Sequence, residues 1–168
     1  YRKWYGNNEY VVDWKNDAAE MRAIPSAVIA NYQFFMNPGM TWSTISGGSI
    51  GVRRFENGFI FDNKGECLFA DKYEELDYYA AFLNSNTAMK FLSFLSPTLD
   101  FNCGYIAKLP VLNVDGTTKE AVRSFAEDNT QLSHEDWDSF ETSWDFAKLP
   151  LVRPVSTIAD AFVQWETE

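Results

Sequence analysis

Short β-prone segments followed directly by helix-forming sequence constrain the fold of this chain more than any other feature. Between residues 40 and 70, runs rich in β-branched and aromatic side chains alternate with turn sequences. Asn57-Gly58 is typical of a two-residue hairpin turn, and Asn63-Lys64-Gly65 makes a second break. The pattern predicts several short strands, at residues 41–45, 53–55, 59–61 and 67–69.

Residues 74–95 carry a helical repeat instead, with apolar side chains recurring at three- and four-residue spacing. Asn84-Ser85-Asn86 interrupts the repeat, because Asn and Ser side chains compete for backbone hydrogen bonds inside a helix. The segment therefore predicts either two helices, the second capped near Ser85, or one kinked helix. Ser96-Pro97 is expected to end it.

Capping-box patterns predict further helices in the last third of the chain, beginning near Thr117, Ser133 and Thr157. This part is also acidic. Residues 117–168 hold 4 basic and 11 acidic side chains, whereas residues 1–116 hold 10 and 13. The acidic load of the chain therefore lies mainly in its C-terminal part.

These elements predict an α+β fold. We expect a short-stranded mixed β domain with packed helices at residues 1–113, followed by an acidic helical segment at residues 114–168. The chain begins with Tyr1 rather than Met, and its last helix-like pattern has no stop signal. A segment of a longer protein, truncated at its C-terminus, is therefore expected.

Composition argues against several classes of protein. The chain has no signal peptide and its apolar runs are only a few residues long, which predicts a cytoplasmic protein without a membrane span. Cys67 and Cys103 stand in unrelated contexts, so two reduced thiols are expected. The net charge of −10 argues against simple nucleic-acid binding, because phosphate contacts need Lys and Arg.

The sequence predicts no catalytic residue, cofactor site or metal site. The Gly-rich stretch at residues 47–51 lacks the Lys-Ser/Thr of a phosphate-binding loop, so a turn or bulge is the better interpretation. The acidic residues between Glu135 and Asp145 lack EF-hand spacing, which favours a solvated helix face. His134 is the only histidine, and no residue near it in sequence suggests a nucleophile that it would activate.

One group of residues mixes cations, hydroxyls and aromatic rings in a way that suits DNA. Arg pairs with guanine edges, Lys with phosphates, and hydroxyls with either. Ordinary surface charge combined with core tryptophan is the alternative interpretation. The candidate DNA-binding residues are Arg2, Lys3, Tyr5, Lys15, Trp42, Ser43, Arg53 and Arg54.

Distinctive motifs run in order along nearly the whole chain. They are Arg2-Lys-Trp-Tyr-Gly-Asn7, Tyr10-Val-Val-Asp-Trp14, Gly39-Met-Thr-Trp-Ser43, Gly58-Phe-Ile-Phe-Asp62 with Lys64-Gly65, Phe82-Leu-Asn-Ser85, Leu109-Pro110 and Asp136-Trp-Asp-Ser-Phe-Glu-Thr-Ser-Trp-Asp-Phe146. Together they resemble the C-terminal part of the PglX family, the adenine-specific DNA methyltransferases of BREX phage-exclusion systems. The last motif is the most specific, whereas the Leu-Asn-Ser and Leu-Pro elements are similar to many target-recognition domains of restriction–modification enzymes.

The resemblance implies a TaqI-like target-recognition domain followed by a helical segment. The parent protein would methylate N6 of adenine in a short DNA sequence, using S-adenosylmethionine and an adenine turned out of the duplex. The family's Asn/Asp-Pro-Pro-aromatic motif and its Gly-rich cofactor motif are absent here, and Asn37-Pro38-Gly39 matches only two residues of the former. This segment is therefore expected to bind no cofactor and to catalyse nothing. The implied partners are double-stranded DNA, an upstream methyltransferase domain and other defence-system proteins.

A protein-interaction module of a restriction–modification or defence complex is the alternative function. The acidic, Trp-rich C-terminal part would then dock another component of the system. An independent hydrolase has little support, because no nucleophile–base pair or paired carboxylates stand out.

Overall fold

A computed structural model describes residues 1–96, 98 and 100–167 and confirms the α+β class. Pro97, which the sequence predicts to end the second helical run, lies outside the described residues. The strands are β1 (Gly39–Ser43), β2 (Arg53–Phe55) and β3 (Gly65–Leu68), and a short 3-10 helix lies at Tyr32–Phe34. The α-helices are α1 (Lys15–Arg22), α2 (Glu75–Leu83), α3 (Asn86–Leu95), α4 (Cys103–Ile106), α5 (Gly116–Asp138) and α6 (Ile158–Glu166).

The three strands form one antiparallel sheet in the order β2-β1-β3. Thr41 in the central strand lies opposite Arg53 on one side and Cys67 on the other. In the part of the chain that is described, the only parallel pairing is a bridge between Trp4 and Arg53, where Arg54 N donates to Trp4 O at 2.7 Å. The mixed character expected of the sheet is thus limited to this edge.

Alternation along the strands gives the sheet two different faces. Met40, Trp42 and Leu68 lie on the face that the helices cover, where they pack with Leu76 of α2 and Leu92 of α3. Burying each large apolar side chain of this kind contributes about 1.5–3 kcal/mol relative to leaving it in water. The opposite face of the sheet is therefore free to form a different surface.

Asn84 joins the helical layer to the sheet at the end of α2. Its Oδ1 accepts from Val52 N at 3.0 Å, and its Nδ2 donates to Val52 O at 2.9 Å, just before β2 begins. Its backbone oxygen accepts from Lys3 Nζ at 2.7 Å. Ser85 then caps α3 by accepting from Ala88 N at 3.1 Å, so the two-helix interpretation is confirmed.

We expect Asn84→Asp to lower the free energy of unfolding by about 1–3 kcal/mol, measured by urea denaturation. The substitution keeps the shape and the acceptor oxygen, but it places a carboxylate oxygen where Nδ2 donates to the buried carbonyl of Val52, which also accepts from Trp4 N at 2.8 Å. Asn86→Asp is the matched control, because Asn86 is exposed in the first turn of α3. The control should change stability by no more than about 0.5 kcal/mol. Equal effects of the two substitutions would contradict this role of Asn84.

Helix α5 packs along α2, and Lys119 of α5 pairs with Glu75 of α2 at 3.5 Å. Asp115 caps α5 by accepting from Thr118 N at 2.9 Å, and this hydrogen bond lowers the pKa of the Asp115 carboxyl. At 23 residues α5 is the longest of the described helices. Neither α5 nor any other helix of the described residues is long and apolar enough to cross a membrane.

The N-terminal residues lie between the sheet and α5. Arg2 Nη1 pairs with Asp136 Oδ2 at 2.7 Å, and the Arg2 guanidinium lies 5.0 Å from the centre of the Trp137 ring. Gly6 has a φ of +109°, and a Cβ there would lie 3.0 Å from Trp137, so this close approach requires glycine.

The division of the chain into a domain at residues 1–113 and a separate helical segment at residues 114–168 stays a prediction.

Two sequence predictions are wrong in detail. Residues 59–61 form a loop rather than a strand, because Phe59 O accepts from Met36 N at 2.8 Å and pairs with no neighbouring strand. Ser133 begins no helix, since α5 runs through it without a break. The cap at Thr157 is confirmed, because Thr157 Oγ1 accepts from Asp160 N at 3.1 Å.

Candidate nucleic-acid interface

The second face of the sheet forms one wall of a cavity of about 860 Å³. Thr41, Arg53, Phe55 and Cys67 line this wall, each alternating along its strand with residues of the core face. The volume falls within the range of roughly 300–1,000 Å³ that is typical of small-molecule sites. The other walls come from loops at residues 7–14, 28–35 and 59–63.

Aromatic rings make up much of the cavity lining. The ring centroids of Phe55 and Phe59 lie 5.7 Å apart, and Phe61 makes an edge-to-face contact with Phe35 at 4.9 Å. Tyr10 stands at the rim with 90% of its surface exposed. Two aromatic rings in tilted or edge-to-face contact stabilise each other, and their faces offer a flat apolar surface to a ligand.

Arg53 is the buried cation of this cavity. It is 8% exposed, and its Nη1 donates to Gly51 O at 3.1 Å. No carboxylate of the residues described lies within 4.0 Å of it. Burial lowers the pKa of its guanidinium, yet an Arg side chain remains charged at neutral pH. Because a guanidinium has five N–H donors, most of its donor capacity is left for a ligand.

The cavity also contains carboxylates and a thiol. Asp62 Oδ1 accepts from the backbone N atoms of Lys64 (2.8 Å) and Gly65 (2.9 Å), which shapes the turn before β3. Glu9 is exposed. Burial raises the pKa of the Cys67 thiol to about 11, so this thiol is protonated at neutral pH and is a poor nucleophile. The cavity thus combines one buried cation with two carboxylates.

Arg54 points to the helix-covered face and has its partners there. Its Nη1 forms a buried ion pair with Asp77 Oδ1 of α2, and the Tyr73 ring lies 4.6 Å from its guanidinium. This burial leaves Arg54 no surface to offer DNA. The sequence alone did not distinguish Arg53 from Arg54. Because side chains alternate along a strand, the two adjacent residues lie on opposite faces of the sheet and have different surroundings.

Trp42 is a core residue as well. It is 1% exposed, and its Nε1 donates to Phe101 O at 2.6 Å. Core tryptophan, the alternative interpretation of this residue, is what the structure shows. Ser43 follows it on the opposite side of the strand and is exposed. Of these two neighbouring candidates, only Ser43 is accessible to a macromolecule.

Of the eight candidate DNA-binding residues, only Arg53 lines the cavity over the sheet. The remaining candidates lie outside it. Arg2 and Lys3 already have the partners given above. The Tyr5 ring makes a tilted contact with the His134 ring, with ring centroids 4.0 Å apart, and burial raises the pKa of the Tyr5 hydroxyl. Lys15 is exposed at the start of α1. Lys15 and Ser43 are therefore the candidates with the most accessible side chains.

A polar cluster lies at the end of α5. Side-chain nitrogen and oxygen atoms of His134, Asp138 and Asp145, of the kinds that can bind a metal ion, lie within 4.8 Å of one another. Asp138 lies 3.2 Å from His134 Nε2 and accepts from Ser143 Oγ at 2.7 Å, while Ser143 Oγ accepts from Asp145 N at 3.1 Å. These internal hydrogen bonds account for the cluster. The sequence pattern did not predict it, because α5 ends at Asp138 and the chain then folds back.

The aromatic loops that line the cavity were not predicted from the sequence. Tyr10, Phe59 and Phe61 belong to no helical repeat, and none of them lies in a strand. Aromatic rings set among polar and turn-forming residues were the available signal, because such rings suit surfaces that are part apolar and part wet. Residues 8–14 also border a second cavity of about 360 Å³, which Trp144 helps to line.

The chain is similar along its whole length to a small part of adenine-specific methyltransferases. Adenine-specific methyltransferase PglX of Lacticaseibacillus casei (strain Zhang) is 36% identical over 181 aligned residues, covering 100% of this chain and 15% of the relative. Adenine-specific methyltransferase BrxX of Escherichia coli O9:H4 (strain HS) is 31% identical over 169 aligned residues, covering 98% of this chain and 13% of the relative. No protein-family model matches the chain. The resemblance to PglX methyltransferases that the motifs indicate is thereby confirmed.

Proposed function

We propose that this chain is the DNA target-recognition segment of an adenine-N6-specific, S-adenosylmethionine-dependent DNA methyltransferase that acts in bacterial phage defence. The observation that carries the proposal is the similarity of the whole chain to 15% and 13% of two adenine-specific methyltransferases.

The cavity over the sheet supports a recognition role. Arg53 offers a planar set of donors in a cavity that aromatic rings also line. Proteins read bases through Arg–guanine pairing and through stacking on aromatic side chains. Lys15 and Ser43 would add contacts to phosphates or base edges from the surface. Since the chain has a net charge of −10, the rest of the polypeptide would supply most phosphate contacts.

We propose that the segment itself is non-catalytic and binds no cofactor. S-adenosylmethionine and the target adenine would be held by an upstream methyltransferase domain, and the whole protein would act in the cytoplasm on double-stranded DNA. Asn37 of the partial Asn-Pro motif uses its amide locally, since its Nδ2 donates to Gln33 O at 3.1 Å. This local bond supports a structural role for Asn37.

Exchange of this segment for the matching part of L. casei PglX tests the proposal. We expect the chimera to methylate N6 of adenine in a different DNA sequence, because base contacts set the sequence while phosphate contacts only position the protein. Sequencing of host DNA with detection of modified bases measures the outcome. The reverse exchange is the control and should restore the original sequence.

A chimera that still methylates the original sequence would contradict the recognition role. Where exchange of the whole segment abolishes methylation, a smaller exchange limited to residues 7–14 and 59–63 preserves the core described above. That smaller exchange should alter the methylated sequence, because those loops carry the accessible side chains of the cavity.

A protein-interaction role is the second candidate, and the exposure of α6 favours it. Ile158, Val163 and Trp165 expose apolar surface on this helix, and Trp144 nearby in sequence is 67% exposed. Exposed apolar patches mark interaction sites. Under this alternative, the exchange leaves the methylated sequence unchanged and alters a protein contact that survives high salt, because screening weakens only electrostatic contacts.

A further inference from the structure

We propose that the cavity over the sheet binds a single guanine base, with Arg53 donating to O6 and N7 of guanine and the surrounding rings stacking on its faces. The inference rests on the proposed recognition function and deepens it. It assigns one base, one binding residue and one cavity to a segment that would otherwise be expected to read DNA only through its surface.

The placement of Arg53 is the first step. Strand alternation puts Arg53 and Phe55 on the cavity wall, whereas Arg54 between them pairs with Asp77 on the other face. A buried charge is costly unless it is paired and hydrogen-bonded. Arg54 meets that condition inside the protein. In the described part of the chain, Arg53 has no carboxylate partner and donates to one backbone oxygen, so a ligand with acceptor groups would complete its surroundings.

The charge of the cavity selects the kind of ligand. Glu9 and Asp62 line the cavity together with Arg53, so a phosphate would meet two carboxylates and one cation. A neutral base avoids that repulsion. Guanine presents two acceptors, O6 and N7, that match the planar fork of Arg, and its amino group can donate to a carboxylate. Among the four bases, guanine therefore fits this donor and acceptor set best.

The rim and the walls favour a flat ring over other neutral ligands. Tyr10 at the rim and Phe59 deeper in the cavity offer faces on which a base can stack. A base reaches such a cavity only when it leaves the helix stack. Enzymes that modify bases already turn a nucleotide out of the duplex, and unpaired or mismatched bases leave most easily.

Titration of the chain with deoxyguanosine, followed by NMR, tests the inference. We expect saturable binding that shifts the Nε–H signal of Arg53 and the ring signals of Tyr10. Deoxyadenosine, deoxycytidine and thymidine should bind more weakly. Arg53→Lys keeps the charge but loses the planar fork, so it should raise the Kd for deoxyguanosine by about 5- to 150-fold.

Two further variants guard against an effect on folding. Tyr10→Ala removes an exposed ring at the rim and should also weaken binding. Phe125→Ala is the matched control, because Phe125 is an exposed ring of α5 that does not line the cavity. It should leave the Kd unchanged. If Arg53→Lys fails to fold, the preference for deoxyguanosine and the loss in Tyr10→Ala decide the question.

Three outcomes would overturn the inference: no saturable binding, equal binding of all four nucleosides, or competition by inorganic phosphate at the same site. The proposed function is tested separately. If exchange of the segment changes the methylated sequence while deoxyguanosine does not bind, recognition stands and the guanine site is wrong. If deoxyguanosine binds while the methylated sequence never changes, the guanine site remains and recognition is wrong.

Discussion

Asp77→Ala is expected to lower the free energy of unfolding by about 3–5 kcal/mol, one of the two largest effects predicted for this chain. Arg54 and Asp77 are 4% and 5% exposed and form an ion pair between β2 and α2. Removing the carboxylate leaves the Arg54 guanidinium buried without a counter-charge. Because domains of this size are stable by about 5–15 kcal/mol, urea denaturation should show a large shift of the midpoint.

Glu75→Ala is the matched control for Asp77→Ala. Glu75 lies two residues earlier on the same helix and pairs with Lys119 at 3.5 Å, but both side chains are about one-third exposed. Exposed pairs contribute about 0–1 kcal/mol, so this variant should remain close to the wild type. The double variant Arg54→Met with Asp77→Leu should regain most of the stability, because apolar replacements of a buried pair are often neutral. If Asp77→Ala is no less stable than Glu75→Ala, the ion pair does not stabilise the fold.

Trp42→Ala is expected to cost about 3–5 kcal/mol of stability, because a buried indole leaves a large cavity when it is removed. Trp42 is 1% exposed and packs in the core between the sheet and α2. The loss of its hydrogen bond to Phe101 O adds to the penalty. Thermal and urea unfolding measure the effect.

Trp144→Ala provides the comparison for Trp42→Ala, because the same ring is removed from an exposed position. Its stability should stay within about 0.5 kcal/mol of the wild type. A Trp42→Ala protein of unchanged stability would show that this ring does not support the core.

The strands and the helix pair were predictable from the sequence because their signals are local. The alternation in β1 and the helical repeat of α2 and α3 each operate within about ten residues, whereas the turn at Asn57-Gly58 joins no hairpin because residues 59–61 form no strand. Ser85 could be named as a cap from its neighbours alone. The sequence also predicted the α+β class, since short strands followed by helices give few other arrangements.

The candidate site was harder to predict, because it depends on which face of the sheet the helices cover. Arg53 and Arg54 have identical chemistry and adjacent positions, and a shift of one residue would exchange their surroundings. That choice is fixed by long-range contacts, such as the pairing of Arg54 with Asp77 and of Asn84 with Val52. Periodicity within one strand contains no information about these partners.

The loops were missed for a related reason. Phe59 and Phe61 have high strand propensity, but strand propensity mainly reflects packing against neighbouring strands. Here the backbone of Phe59 bonds to Met36 in another loop instead of a strand, and the ring of Phe61 packs against the rings of Phe35 and Phe69. Tertiary contacts therefore replaced the predicted strand with an aromatic loop.

The pairing of Arg2 with Asp136 has a consequence for how this chain folds during synthesis. The two residues lie 134 positions apart, so the first cannot meet its partner until most of the segment has left the ribosome. At elongation rates of roughly 5–20 residues per second, that interval is about 7–27 s. Trp4 can bond to Val52 and Arg54 much earlier. The N-terminal residues can thus bond to the sheet edge before α5 has been synthesised, whereas Arg2 can pair with Asp136 only after α5 has emerged.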